Sequence, residues 1–297
     1  MTAVGTAPSP IAVFSTTFQN PILLASGTAG FGREVAGVIA LEALGGLVTK
    51  AVSPERRRGH PGPRVAEFDG GMLNAVGLAN PGLEAVRETE LPWLARHLAR
   101  ARVIVNVVGS VVDDYVTVVT GLSAVPIISA FELNVSCPNT SRGGEEFGAD
   151  DAVLGDLMRR CRDATPKPLI AKLAPTLPDI ARTARAAGEA GADGFTVVNT
   201  IPGTLSQKAD GHRTPRLGHG QGGVSGPALL AVGVLATRRV REGTGKPVIG
   251  VGGIRTPEDV EQYLDAGAAL VAVGTAALAD PRVPERLAAW WSRHWRS

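Results

Sequence analysis

The chain is organised around one stretch, Phe131-Glu132-Leu133-Asn134-Val135-Ser136-Cys137-Pro138-Asn139. It begins as an apolar strand and ends in a polar cluster with two carboxamides, a hydroxyl and a thiol. In parallel α/β folds, the carboxyl ends of the strands carry the chemistry. A thiol beside neutral amides suits proton transfer to or from a substrate that itself carries amides. The alternative is a capped turn with a half-buried cysteine, and these nine residues alone leave both interpretations open.

Eight short apolar, β-branched segments recur along the chain, with helical stretches between them. Continuous apolar strands that alternate with amphipathic helices predict an α/β fold with a parallel sheet covered by helices, and a count of eight predicts a (β/α)8 TIM barrel. Crossover helices are predicted at 180–190 and 257–266, the second capped by Thr256. The predicted strands are 21–26, 46–50, 103–109, 131–134, 169–173, 194–199, 248–252 and 270–274.

Length and composition favour a single globular domain. The 297 residues are 44% apolar, and no linker-like run divides them, so we expect one domain over 1–297 with residues 1–10 as a loose arm. The net charge of +2 gives no reason to expect binding to nucleic acid or to an acidic membrane surface. No segment reaches about 18 uninterrupted apolar residues, and the chain starts without a signal pattern. A soluble, cytoplasmic protein is expected.

The cysteine and histidine residues exclude several kinds of site. Two cysteines, Cys137 and Cys161, are too few for a disulfide scaffold or for a metal cluster held by this chain alone. Cys161 falls in a helical pattern and is predicted to be a packing residue. The histidines show no metal-ligand spacing, so no metal site is expected.

Two insertions interrupt the alternation of strands and helices, at 53–83 and 201–223. Both are predicted to be long loops. Long loops at one mouth of a barrel usually cover a site.

Lysines and asparagines stand at the predicted strand ends. Lys50 and Lys172 lie in apolar strands, where a charge costs several kcal/mol unless an anion or strong acceptors meet it. One such lysine could extend its ammonium to the rim. Two of them, with Asn106 and Asn199 on neighbouring strands, predict an electron-rich, partly anionic ligand across the mouth.

Glycines end the last two strands, in Gly250-Val251-Gly252-Gly253 and Val273-Gly274-Thr275. Such glycines let a phosphate approach backbone N–H groups at helix starts, although they also serve simply to turn the chain. No Gly-x-Gly-x-x-Gly follows any predicted strand, which argues against a Rossmann dinucleotide site.

The segment 132–139 resembles the active-site signature of class 1 dihydroorotate dehydrogenases, which carry cysteine where the membrane-bound class carries serine. Gly143-Gly144 with Phe147-Gly148, and Gly71-Met72-Leu73-Asn74, are most similar to class 1B, the flavin-bearing catalytic subunit of a two-protein, NAD-linked enzyme. Further motifs fall in family order along nearly the whole chain: Ala25-Ser26-Gly27-Thr28, Lys50-Ala51, Gly71 to Gly82, Asn199-Thr200 and Gly222-Gly223-Val224-Ser225-Gly226-Pro227.

The resemblance implies a set of site residues at the barrel mouth. FMN, one per chain, would be held by Ser26, Lys50, Ala51, Asn106, Asn134, Lys172, Val198, Gly226, Gly252, Gly253, Gly274 and Thr275. The pyrimidine would be held by Lys50, Asn74, Ala75, Val76, Gly77, Leu78, Asn134, Asn199 and Thr200. Asparagine amides offer both donors and acceptors, as a ring with two imide-type groups requires.

The resemblance also implies a reaction and a partner. (S)-Dihydroorotate would be oxidised to orotate in pyrimidine biosynthesis, with Cys137 as general base and hydride transfer to FMN. A partner subunit carrying FAD and a [2Fe–2S] cluster would pass the electrons to NAD, in a heterotetramer built on a homodimer of this chain.

The chain departs from the family pattern at the edge of the site. The family usually has Asn where this chain has His60, residues 56–58 are all arginine, and the insertion at 201–223 lacks the usual acidic and aliphatic residues. Alternatives are therefore a related flavin barrel that uses fumarate or acts on another cyclic amide, and a flavin-binding paralogue without turnover.

Overall fold

A computed structural model describes residues 10–136, 138–139, 145–209 and 211–294 of the chain. Its centre is a closed barrel of eight parallel strands, which confirms the predicted fold class. Each strand pairs with the next along the chain, and the last pairs with the first. The barrel strands are β1 (Ile22–Leu24), β2 (Gly46–Val48), β3 (Arg102–Val107), β4 (Ile128–Asn134), β5 (Leu169–Leu173), β6 (Gly194–Val197), β7 (Val248–Val251) and β8 (Leu270–Val273).

The observed strands differ from the predicted ones mainly at their ends. β4 begins at Ile128 rather than at Phe131, because Ile128 and Ala130 also pair with β3. Several strands stop before the predicted end, since the chain there turns away from the neighbouring strand. The Lys50 N–H, for example, donates to the Gly30 carbonyl at 2.7 Å.

Helices cover the outside of the barrel. The predicted cap of the helix at 257–265 is confirmed, because Thr256 Oγ1 accepts from the Asp259 N–H at 3.3 Å while the Asp259 carboxylate accepts from the Thr256 N–H at 2.9 Å. None of the described helices is long and apolar enough to cross a membrane. The helices are α1 (Leu91–His97), α2 (Val112–Leu122), α3 (Asp151–Ala164), α4 (Ile180–Glu189), α5 (Leu230–Thr244), α6 (Pro257–Asp265), α7 (Thr275–Ala279) and α8 (Val283–His294).

Short helical segments fill some of the connections. The chain enters α1 through Leu83–Ala85 and a π turn at Val86–Glu90, and 3₁₀ turns occur at Leu41–Ala43, Phe147–Ala149 and Pro227–Leu229.

An amino-terminal hairpin closes one end of the barrel. Its strands, Ile11–Val13 and Thr16–Phe18, pair antiparallel. Phe14 and Phe18 pack in one apolar cluster with inward-facing residues of the barrel strands, and Phe14 lies beside Gly194 at the amino end of β6. The hairpin thus fills this end of the barrel with apolar side chains, and the opposite end, formed by the carboxyl ends of the strands, is here called the mouth.

The two insertions are not loops, as the sequence predicted, but pair with each other. Val65–Phe68, Gly71–Asn74, Gly222–Ser225 and Ile201–Gly203 form a four-stranded antiparallel sheet, here called the insertion sheet. A separate hairpin pairs Ser206–Ala209 with His212–Pro215. The sheet strands are short and rich in glycine, so they lack the apolar alternation by which a strand is recognised in sequence.

Candidate active site

The barrel brings the predicted site residues to one mouth, because parallel strands end at the same edge. The exceptions are the segment from Asn74 to Leu78 and Gly226, which belong to the insertion sheet or directly follow its strands. Cys137, the predicted base, lies outside the described residues. At the strand ends, Ser26 follows β1, Lys50 and Ala51 follow β2, Asn106 lies in β3, Asn134 ends β4, Lys172 lies in β5, Val198, Asn199 and Thr200 follow β6, Gly252 and Gly253 follow β7, and Gly274 and Thr275 follow β8.

A buried carboxylate holds the polar side chains beneath the mouth together. Glu132 is 0% exposed. One of its oxygens accepts from Asn106 Nδ2 at 2.7 Å and lies 3.6 Å from Lys172 Nζ, while the other accepts from Thr196 Oγ1 at 2.7 Å. These four residues, here called the Glu132 cluster, come from four consecutive strands, β3 to β6. Removal of one partner of a buried ion pair typically costs about 3–5 kcal/mol, so the cluster depends on all its charges being matched.

One acceptor of the Glu132 cluster is left without a protein partner. Asn106 is fully buried, and its Oδ1 has no hydrogen-bond partner in the described structure. Buried polar atoms are nearly always satisfied, so such an atom needs an explanation. A ligand with an N–H group at the mouth would provide one.

Lys50 stands in a different electrostatic environment from Lys172. Within the described part of the chain, no carboxylate oxygen lies within 4.0 Å of the Lys50 ammonium, and the residue is partly exposed. Thr49 fixes the backbone there, since its hydroxyl donates to the Lys50 carbonyl at 2.9 Å and accepts from the Asn106 N–H at 3.3 Å. Lys50 therefore offers an unneutralised positive charge to an anionic ligand.

Two of the predicted asparagines form a continuous amide array. Asn199 Nδ2 donates to Asn134 Oδ1 at 3.2 Å, and Asn199 Oδ1 accepts from the Thr200 N–H at 2.9 Å. Asn134 Nδ2 takes no part in this pair and can serve as a donor to a ligand. Neutral donors and acceptors side by side match a cyclic amide better than a purely anionic ligand.

The insertion sheet carries the segment from Asn74 to Leu78 to the edge of the mouth. Asn74 Nδ2 donates to the Gly223 carbonyl at 3.2 Å, and Asn74 pairs with Gly223 in the sheet. Gly223 also packs against Thr200, since a Cβ at position 223 would lie 2.1 Å from Thr200 Oγ1. Gly223 thus contacts both Asn74 of the first insertion and Thr200 at the end of β6.

Asn80 anchors the far end of the same segment. Its Oδ1 accepts from the N–H groups of Ser53 and Gly82, at 3.3 and 2.9 Å. Its Nδ2 donates to Ser53 Oγ and to the Leu78 carbonyl, both at 2.8 Å. All the hydrogen-bonding groups of a buried carboxamide are used, which fixes where Leu78 leaves the mouth.

Two histidines join the insertions behind this segment. The rings of His60 and His219 stack with their centroids 3.6 Å apart, and the His60 ring lies against Gly77. Burial of His60, and to a lesser extent the charges of His219 and Arg64, lower the pKa of the His60 imidazole below its usual value. The fold therefore favours the neutral ring.

The glycines after β7 bring backbone close to the start of α5. Gly253 has a φ of +76°, and a Cβ at this position would lie 2.7 Å from the backbone nitrogen of Leu230. Gly226, with a φ of +117°, lies similarly close to Gly71. A side chain would collide at these positions, so glycine lets the backbone segments pack directly against each other. Glycine backbone at a strand end is also where a phosphate can meet N–H groups.

The remaining predicted residues complete the rim. Thr275 Oγ1 donates to Ser225 Oγ at 2.8 Å, which ties the start of α7 to the insertion sheet. The Val198 N–H donates to the Val251 carbonyl at 3.0 Å, and the Ala25 N–H donates to the Val273 carbonyl at 2.9 Å. No described contact links the side chain of Ser26 to these residues.

Cys161, the second cysteine, is buried in α3, as predicted for a packing residue. Burial raises the pKa of its thiol to about 12. It is therefore a protonated thiol at neutral pH and not a base.

Sequence reasoning missed three residues of this region: Glu132, Thr196 and Asn80. Glu132 did carry a signal, since a carboxylate in the middle of an apolar strand is as costly as the lysines that were singled out. Thr196 and Asn80 carried none beyond their presence in or near the motifs.

The chain is similar to known proteins over most of its length. A family model described as dihydroorotate dehydrogenase matches residues 10–289. The catalytic subunit of dihydroorotate dehydrogenase B (NAD(+)) from Geobacillus kaustophilus (strain HTA426) is 45% identical over 267 residues, which cover 90% of this chain and 84% of the relative. The catalytic subunits of the same name from Bacillus caldolyticus and Bacillus thuringiensis (strain Al Hakam) are 44% and 45% identical, again over 90% of this chain and over 84% and 85% of the relatives.

Proposed function

This chain belongs to the dihydroorotate dehydrogenase family of oxidoreductases, and membership of this family implies a flavin cofactor. We propose that the chain is the FMN-bearing catalytic subunit of an NAD-linked dihydroorotate dehydrogenase. It oxidises (S)-dihydroorotate to orotate in pyrimidine biosynthesis. The observation that carries the proposal is that Glu132 brings together a buried ammonium, that of Lys172, and a buried amide, that of Asn106, whose Oδ1 has no described partner.

The residues present fit FMN. The free acceptor of Asn106 and the Lys172 ammonium suit an imide N–H next to a carbonyl of the ring. The glycine backbone at Gly252, Gly253, Gly274 and Gly226, beside the starts of helical segments, suits a phosphate, with Thr275 as a further hydroxyl. Ser26, Lys50, Ala51, Asn134 and Val198 complete the proposed FMN site.

The remaining residues proposed for the site fit a pyrimidine that carries a carboxylate. Asn134, Asn199 and Thr200 supply amide donors and acceptors, and the segment Asn74-Ala75-Val76-Gly77-Leu78 supplies a further amide and backbone groups. Lys50 supplies the charge that a carboxylate requires. This division of roles follows from Lys172 being neutralised by Glu132 while no described carboxylate meets Lys50.

Cys137 is the proposed general base, which removes the C5 proton of dihydroorotate. The bound flavin supplies the two-electron acceptor for the hydrogen at C6. Thiols at their ordinary pKa of about 8.5 are mostly protonated at neutral pH. Activity should therefore rise in mildly alkaline solution unless the site itself favours the thiolate.

Electrons leave the chain through another protein in this proposal. The named relatives are catalytic subunits of an NAD(+) enzyme, and by the class 1B resemblance the partner subunit carries FAD and a [2Fe–2S] cluster. Two copies of this chain would form the centre of a heterotetramer.

The test of the proposed function is to record the visible spectrum of the purified chain and then to add dihydroorotate. The purified chain should be yellow, with one FMN per chain, and anaerobic dihydroorotate should bleach the flavin band. A colourless protein that cannot be reconstituted with FMN would refute the proposed cofactor. A yellow protein that dihydroorotate does not bleach would refute the proposed substrate.

A further inference from the structure

The Glu132 carboxylate is the negatively charged group of its cluster, and it is fully enclosed by the other three members. It is fully buried, and its two oxygens face an amide, an ammonium and a hydroxyl from three other strands. A buried carboxylate is costly, so its presence at this position calls for a role besides packing.

The first consequence of Glu132 concerns the amide of Asn106. An ionised carboxylate only accepts hydrogen bonds, so it must face the Nδ2 donor of the amide. The Oδ1 atom is thereby left as the unpartnered buried acceptor. If position 132 did not accept, the amide could turn over and present a donor to the mouth.

The second consequence concerns Lys172. Its ammonium lies 3.6 Å from the carboxylate, which holds the charge in place without a close hydrogen bond. Its N–H donors remain for a ligand at the mouth. The carboxylate also offsets part of the positive potential that the lysine alone would create there.

We propose that Glu132 is a positioning residue that sets both the hydrogen-bond polarity and the net charge of the flavin-binding face of the barrel. Glu132 orients Asn106 so that the amide offers an acceptor to the flavin. Glu132 also holds the Lys172 ammonium in place, so that the lysine offers a cation to the flavin. Its negative charge limits how strongly the site favours the reduced, anionic flavin over the oxidised one. This inference rests on the proposed function for its ligand, but the ion pair itself does not.

The first test measures the midpoint potential of bound FMN by equilibration with a reference dye at pH 7. Glu132→Gln removes the negative charge at nearly constant shape. The affinity for reduced FMN relative to oxidised FMN should rise at least about tenfold, which is a shift of about +30 mV for a two-electron couple. An unchanged or lower potential would overturn the proposal.

Two control variants separate charge from structure. Glu132→Asp keeps the charge and should leave the potential near that of the wild type. Thr196→Val removes one hydrogen bond to the carboxylate but keeps its charge, so it should lower the thermal midpoint without moving the potential. A Thr196→Val shift as large as that of Glu132→Gln would mean that the role is merely structural.

The second test needs no flavin. In flavin-free protein, Glu132→Gln should destabilise the fold, because it leaves the Lys172 ammonium buried without its counter-ion. Adding Lys172→Met should restore stability, with the double variant at least about tenfold more favourable in its folding equilibrium than Glu132→Gln alone. A double variant no more stable than the single one overturns the ion pair.

The two tests also separate this inference from the proposed function. Wild-type protein that binds FMN and is bleached by dihydroorotate, together with a Glu132→Gln potential equal to that of the wild type, would refute the inference alone. Wild-type protein that binds no FMN would refute the proposed function and the flavin-directed role, while the flavin-free comparison would still decide the ion pair.

Discussion

At the scale of single residues, the two cysteines differ in what their surroundings allow. Cys161 is buried, and its thiol has a pKa raised to about 12. Cys137→Ala should leave FMN bound but slow its reduction by dihydroorotate at least about 10²-fold, the usual scale for the loss of a general base. Cys161→Ala should leave that rate nearly unchanged. Stopped-flow anaerobic reduction measures both, and equal effects would contradict the role of Cys137.

The lowered pKa of His60 predicts how the free energy of unfolding depends on pH. Its pKa is lowered in the fold, so the unfolded chain binds more protons between that lowered value and the ordinary value of about 6.5. The free energy of unfolding is therefore unaffected by this residue above about pH 6.5 and should fall as the pH drops through the window below it. Urea unfolding at several pH values measures the slope.

The matched variants for this test are His60→Asn and His212→Asn. The first removes the ring that stacks on His219 and should flatten the acid-side slope. The second removes an exposed histidine of the neighbouring hairpin and should leave the slope as it is. A full slope in His60→Asn would assign the pH dependence to other groups.

At the scale of elements, the contact between Gly253 and the start of α5 is open to test. Gly253→Ala should weaken FMN binding at least about tenfold, equal to about 1.4 kcal/mol, because its Cβ would strike the backbone of Leu230 and displace a proposed phosphate contact. Gly245→Ala is the matched control, since Gly245 also has a positive φ, of +65°, but with nothing within 4 Å of a Cβ.

Fluorescence titration of the flavin-free proteins with FMN gives both affinities. Gly245→Ala should lower stability by about 1 kcal/mol, the usual cost of a side chain at positive φ, and leave the affinity unchanged. Equal losses of affinity in the two variants would mean that backbone strain, and not the contact at Gly253, is responsible.

The pairing of the two insertions is the feature at this scale that could not be predicted from the sequence. Each barrel strand is recognisable from its own apolar run, so all eight were found. The insertion sheet joins Gly71–Asn74 to Gly222–Ser225, far apart in the chain, through strands made largely of glycine and polar residues. Nothing local marks such strands. The length of the insertions, and the family resemblance of Asn74 to Leu78 and of Gly226, indicated that they border a site.

At the scale of the whole molecule, the sequence predicted where the candidate site lies but not the hydrogen bonds and ion pairs within it. Lys50, Lys172 and Asn106 were found because polar groups at the ends of apolar strands need a reason. The partners of Glu132 could not be found, because they depend on register: β3 sets Asn106 opposite Glu132, and β5 sets Lys172 opposite both Asn134 and Thr196. A parallel barrel fixes these neighbours only when it closes.

The whole molecule also bears on which acceptor takes the electrons in the proposed reaction. By the proposal, a flavin reduced by dihydroorotate holds two electrons. The Gly-x-Gly-x-x-Gly at Gly218 to Gly223 runs into a strand of the insertion sheet instead of opening a helix after a barrel strand, so it does not form a Rossmann site for NAD. The chain has two cysteines, whereas a cysteine-bound iron–sulfur cluster needs four. The proposed function therefore leads us to expect an acceptor outside the chain.

We expect the isolated chain to reduce artificial dyes with dihydroorotate but not NAD, and to gain NAD reduction when a subunit carrying FAD and a [2Fe–2S] cluster is added. Anaerobic assays with each acceptor, with and without the candidate subunit, measure this. The control is Cys137→Ala, which should fail with every acceptor because it blocks the shared first half of the reaction. Rapid NAD reduction by the single chain would contradict the expectation. Efficient turnover with fumarate alone would instead place the chain with fumarate-using relatives, since the electrons would then leave through the mouth by which they entered.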